Sequence, residues 1–236
     1  MNWLRRLPEA PMTAVLVLLN VAVYVAMAYG DHHIFAFGSE TLLRAGANFV
    51  PRPEIHVDVS RWRLLTATFL HVNLIHILMN MAVLIQLGVL SERFVGGGLI
   101  AAVYVVAGTM GNALSSAWAA GHGTELLSAG ASGSIMGLLG MVAVLAWLSG
   151  QRPLAKALLR NAAFIIVLGV TMAVSGRGML DNGAHIGGLL AGAAIGWALA
   201  RSHRRIPPLL DRLLAVAALA VSVGAFAAVL AAHGTR

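Results

Sequence analysis

The stretch Leu127–Gly140, L-S-A-G-A-S-G-S-I-M-G-L-L-G, sets a serine, Ser132, between Gly130 and Gly133 at the head of a long apolar run. The run continues through Val142, Val144, Leu145 and Trp147 and meets no charge before Arg152. Glycines before it and helix formers within it predict a membrane-length helix with Ser132 in its first turn. First-turn N–H groups lack intrahelical partners and carry partial positive charge, which suits a site where negative charge develops. Gly130, Gly133 and Gly137 also fit a second reading, because small residues let membrane helices pack closely. From this stretch alone both readings stand.

Composition gives the setting. Of 236 residues, 59% are hydrophobic and only 11% are charged. Such a chain cannot cover itself with polar surface, which predicts an all-α, polytopic membrane helix bundle with the lipid bilayer as its surroundings. Lys+Arg 16 against Asp+Glu 9 gives a formal charge of +7. In a membrane protein that excess reads first as a topology signal, so nucleic acid is not expected as a partner. The chain has no cysteine, which removes thiol nucleophiles, disulfides and thiolate metal sites.

Seven apolar segments follow, at about 12–30, 64–90, 97–120, 130–149, 161–175, 183–200 and 213–232. Arg5 and Arg6 before the first give it a passing likeness to a signal peptide, but the run Met12–Tyr29 is too long and is read as a retained helix. The fifth is short, although flanking Arg160 can snorkel. The longest connection, Asp31–Trp62, is rich in turn formers, and its apolar pieces place it on the membrane surface. With the amino terminus inside, inner segments hold ten basic residues: Arg5, Arg6, Arg93, Arg152, Lys156, Arg160, Arg201, Arg204, Arg205 and Arg212. Outer segments hold six: Arg44, Arg52, Arg61, Arg63, Arg177 and Arg236. The positive-inside rule therefore expects a cytoplasmic amino terminus, with Ser132 and His185 near the outer face.

Polar residues within spans are expensive and read as functional by default. In the second segment His76 and Asn80 are four apart, on one helix face and about 6 Å apart along the axis. His71, five residues before His76, is expected on another part of the same helix. Interhelical hydrogen bonding accounts for such residues as well as function does. The sixth segment opens D-N-G-A-H-I-G-G, with His185 one turn inside and Gly188, Gly192 and Gly196 behind it at four-residue spacing. Packed against Gly133 and Gly137, that smooth face would bring His185 to Ser132. A serine with a histidine is the minimum for nucleophilic catalysis. His76, Asn80 and the backbone N–H groups at Gly130 and Ala131 are then the expected oxyanion donors.

This set of motifs resembles the rhomboid family of intramembrane serine proteases. The matching pieces are Trp62-Arg63, H-x-x-x-N at His76–Asn80, Glu92, G-x-S-G at Gly130–Gly133 and A-H-x-x-G-x-x-x-G at Ala184–Gly192. They cover about 62–192. The resemblance implies a Ser132–His185 dyad with no required aspartate, an oxyanion site including His76 and Asn80, and a watery cavity open to the outer side. It implies transmembrane proteins as substrates, cut near the membrane surface, and no cofactor. Many family members carry an aromatic four residues after the serine, stacked on the histidine; here the position is Met136, whose thioether can also pack on an imidazole.

Rival chemistries lack their signatures. No H-E-x-x-H marks a zinc site, and the aspartates Asp31, Asp58, Asp181 and Asp211 sit at loops or helix ends rather than within spans. No metal is expected. A rhomboid-like pseudoprotease that binds transmembrane clients without cutting them is the alternative, but both Ser132 and His185 are present. The expected organisation is a short cytoplasmic segment 1–11, a six-helix catalytic core 12–200, and a cytoplasmic loop with a seventh helix at 201–236. The absence of a recognisable targeting segment points to a bacterial inner membrane with the site opening to its outer, periplasmic side. The substrate and the oligomeric state are not readable from the sequence.

Overall fold

A computed structural model describes residues 3–52, 54, 60–175, 180–202 and 206–234. Arg177, Arg204, Arg205 and Arg236, which enter the charge count, lie outside the described residues. After a 3-10 turn at Trp3–Glu9, the chain runs through α1 (Pro11–Asp31), α2 (Ser39–Ala45), β1 (Asn48–Val50), α3 (Arg63–Thr66) and a 3-10 turn at Ala67–Phe69. It continues as α4 (Leu74–Val95), α5 (Gly97–Gly121), β2 (Leu126–Ser128), α6 (Ser132–Leu148), α7 (Arg152–Val174), α8 (Asn182–Ser202) and α9 (Pro208–Gly234). Among the described residues six helices, α1, α4, α5, α7, α8 and α9, are long and apolar enough to cross a membrane. The protein is a polytopic helical membrane bundle.

Two segment boundaries differ from the sequence reading. The second segment is not one helix over 64–90: α3 and its 3-10 turn end at Phe69, and α4 starts only at Leu74. Asn73 is the cause. Its backbone is extended, and its side chain accepts the His76 N–H at 2.8 Å, an N-cap that starts a new helix. His71 therefore lies before α4 and not on it. The short helix is also not the fifth segment. Pro153 and Lys156 are accommodated in the first turns of α7, which extends from Arg152 to Val174. The short one is α6, at 17 residues.

A helix apolar on every side belongs inside a bundle, and α6 is that helix: Gly133 through Ala143 are all buried. It packs against α8, α5, α7 and α4. By contrast, α7 and α9 expose Phe164, Val167, Val170, Val216, Val223 and Leu230, an apolar exterior that suits lipid. At 17 residues α6 rises about 25 Å, less than the roughly 30 Å of a hydrocarbon core.

Glycines set how closely α6 and α8 approach. A Cβ added at Gly188 would sit on the Gly133 carbonyl, and one added at Gly192 on the Gly137 carbonyl. A Cβ at Gly196 would come to 2.7 Å from the Met141 carbonyl oxygen. The two backbones thus touch over a little more than two helical turns, with no room for a side chain at these three glycines.

The long first connection is built into the bundle. Asn48–Val50 pairs antiparallel with Leu126–Ser128, Phe49 opposite Leu127, immediately before the Ser132 turn. Arg63 donates to the carbonyls of Leu43 at 2.8 Å and Ala47 at 3.1 Å, and its guanidinium lies 4.7 Å over the Trp62 ring. Trp62-Arg63 thereby ties α3 to the end of α2. Glu92, near the end of α4, accepts the N–H groups of Met12 and Thr13 and the Thr13 hydroxyl at 3.0, 2.9 and 2.7 Å. It caps α1 from another helix, since Ala10 at the N-cap has no side chain that can.

Candidate active site

Ser132 is the first residue of α6, and His185 lies one turn into α8. The close glycine contact between these helices brings Ser132 Oγ to 2.8 Å from His185 Nε2. His185 is 1% exposed, and its other ring nitrogen, Nδ1, is buried without a hydrogen-bond partner among the described residues. Both side chains open onto a cavity of about 350 Å³, whose wall also includes His76, Ser115 and Asp181. A hydroxyl within hydrogen-bond reach of an imidazole, beside unpaired helix-start N–H groups, can attack a carbonyl and hold the resulting oxyanion.

The turn before Ser132 is held from outside. Gly130 donates its N–H to the Ala67 carbonyl at 2.9 Å, so this group, one of the expected oxyanion donors, is already engaged. Gly130 has φ +154°, and a Cβ there would lie 2.9 Å from His76 Cε1. Only glycine fits that backbone beside that ring. Ala131 is buried and precedes Ser132 as the helix cap.

His76 lines the cavity, with its ring edge at Gly130. Asn80 is on the same face of α4 but donates to the His76 carbonyl at 2.9 Å and is not among the lining residues. His71 is fully buried, its ring 5.1 Å from that of His76 in an edge-on contact. Met136 is buried within the core around α6. Trp62, Arg63 and Glu92 lie away from the cavity and act on α1, α2 and α3, as described above. Among the described residues no group of three or more His, Asp or Glu side chains is gathered as a metal site requires.

Two residues escaped the sequence reading. Asp181 reads in the sequence only as a helix-end aspartate, yet it lines the cavity four residues before His185. An acid at the N-cap of a helix that carries a histidine in its first turn is the signal that could have found it. Ser115, on α5, grips that carboxylate with its hydroxyl at 2.6 and 2.7 Å. A lone serine in an apolar helix gives no such signal.

The fold and the site together define a polytopic membrane protein whose central helix begins with a serine hydrogen-bonded to a histidine at the wall of a cavity. A family model described as the Rhomboid domain matches residues 59–202, more than half of the chain, and the chain belongs to the rhomboid family. It is 35% identical over 191 residues to Rhomboid-like protease 2 of Toxoplasma gondii, covering 77% of this chain and 63% of that protein. It is 36% identical over 156 residues to Rhomboid protease GluP of Bacillus subtilis (strain 168), covering 65% and 28%. To RHOMBOID-like protein 6, mitochondrial, of Arabidopsis thaliana it is 35% identical over 140 residues, covering 59% and 44%. The matched region thus spans less than two thirds of each of these relatives.

Proposed function

We propose that the protein is an intramembrane serine endopeptidase that cuts transmembrane protein substrates, with Ser132 as nucleophile and His185 as general base. The observation that carries this reading is the 2.8 Å contact between Ser132 Oγ and His185 Nε2 at the wall of a cavity. As Oγ attacks the scissile carbonyl carbon, its proton passes to Nε2. The tetrahedral oxyanion is held by N–H groups of the Ala131–Gly133 turn and by the His76 ring beside it. Asn80 is the weaker donor: one of its two amide hydrogens is held by the His76 carbonyl, and the side chain does not line the cavity. Collapse expels the amine, which takes the proton back from the imidazolium. Water, deprotonated by His185, then cleaves the acyl-enzyme, releasing the carboxyl product and restoring Ser132.

The site opens to the outer face of a bacterial plasma membrane, with the amino terminus in the cytoplasm. The basic asymmetry of the sequence supports this. Arg152 and Arg201 stack on Trp147 and Trp197 at 4.8 and 4.7 Å toward the end of the bundle away from Ser132, where they mark a membrane interface. Tryptophans with arginines are typical anchors at a membrane interface. The direct test of the nucleophile is a serine-directed fluorophosphonate. The purified protein should acquire one adduct, mapped to Ser132, and His185→Ala should not. An adduct elsewhere, or none, overturns the reading and leaves client binding without cleavage.

A further inference from the structure

We infer that Asp181 is a positioning residue for the proposed hydrolysis: together with Ser115 it fixes the amino end of α8 and so aims His185 at Ser132. The inference rests on the Ser132–His185 reading and deepens it. In a triad, a carboxylate on the far ring nitrogen sets the orientation of the imidazole. Among the described residues His185 Nδ1 has no hydrogen-bond partner, so none of them holds the ring from that side. Its aim then depends on the packing around the buried ring and on the placement of the α8 backbone.

That placement converges on Asp181. Its Oδ1 accepts the Ala184 N–H at 2.9 Å, satisfying one of the unpaired donors at the start of α8. Its backbone carbonyl accepts the His185 N–H at 3.0 Å, which begins the helix. Both carboxylate oxygens also take the Ser115 hydroxyl, at 2.6 and 2.7 Å, so the cap is bolted to α5. Gly183 allows this proximity: a Cβ there would lie 2.8 Å from the Ser115 Cα. His185 is one turn, about 6 Å, along the helix from this clamp. A small rotation of the helix end therefore carries Nε2 away from Oγ, and a misplacement of about 1 Å can cost a reaction roughly 100-fold.

Asn caps helices as well as Asp does and keeps an acceptor for Ala184, with an amide that can bond Ser115. The clamp therefore predicts a distinct pattern across three variants. Asp181→Ala should lose turnover by about 100-fold with KM unchanged, and fluorophosphonate labelling of Ser132 should slow in parallel. Asp181→Asn should regain most of both rates. Ser115→Ala should fall between wild type and Asp181→Ala. The measurements use full-length protein in detergent, with thermal unfolding recorded for each variant. Labelling of folded Asp181→Ala at the wild-type rate overturns the inference. If Asp181→Ala fails to fold, a wild-type labelling rate in Ser115→Ala, or an Asp181→Asn as slow as a folded His185→Ala, overturns it as well. A wild type that neither cleaves nor labels overturns the protease reading itself, and the inference with it.

Discussion

At His76 the ring edge lies beside the Gly130 backbone, while Asn80, one turn on, gives its amide to the His76 carbonyl. The two residues of the H-x-x-x-N pair therefore differ in what their loss removes. A donor aimed at the oxyanion acts mainly in the transition state, so His76→Ala should lower kcat by roughly 10- to 1000-fold with little change in KM. Asn80→Ala should be milder. Steady-state cleavage of a transmembrane substrate by the two variants checks this order; an Asn80→Ala defect larger than that of His76→Ala contradicts it. Gly130 is a sharper case. Alanine there would need an unfavourable φ and would press its methyl on His76, so Gly130→Ala should impair turnover through the displaced turn, with the Ser132–His185 pair chemically intact.

Between elements, the α6–α8 contact is backbone on backbone. Gly192→Leu has no space at the Gly137 carbonyl and must part the helices, carrying His185 from Ser132. It should lose cleavage although it touches no reacting atom; full activity and an unchanged unfolding temperature would place this face elsewhere. Glu92→Gln weakens a charged cap that serves three donors on α1, and should destabilise the fold by about 1–3 kcal/mol in thermal unfolding while leaving the site geometry alone. Much of this was legible in advance, because glycine spacing and a serine at a helix start are local patterns with a physical meaning. What escaped was held by partners distant in sequence. The Ala67 carbonyl that secures Gly130 belongs to a backbone and has no sequence signature. Ser115 matters only because Asp181, 66 positions away, comes to it. The break before α4 was hidden because no glycine or proline interrupts Thr66–Leu74, and the capping role of Asn73 was the overlooked signal.

Across the whole molecule, α9 is a docked part of the bundle. At its start the Asp211 carboxylate accepts the Leu99 N–H at 3.0 Å, and Gly98 has no room for a Cβ beside the Asp211 backbone. Toward its far end Phe226 meets Phe69 with ring centroids 5.9 Å apart. Phe69 closes the 3-10 turn that begins with Ala67, the residue whose carbonyl holds Gly130. The seventh helix therefore packs along the bundle from the start of α5 to the segment supporting the site. That helix is long and apolar enough to cross a membrane, and the proposed orientation predicts that reporter fusions at the 206–207 connection and at the carboxyl terminus fall on opposite sides, the first cytoplasmic. Two cytoplasmic reports would contradict both the orientation and the crossing.

The central claim is that Ser132 and His185 act as one catalytic unit. Its most direct measurement is cleavage of a model transmembrane substrate by purified wild type, Ser132→Ala, His185→Ala and the double variant, each confirmed as folded. The predicted result is cleavage by the wild type alone, with the double variant no worse than either single one, because residues that act as a unit lose their effect together. Cleavage by folded Ser132→Ala at near the wild-type rate would contradict the account.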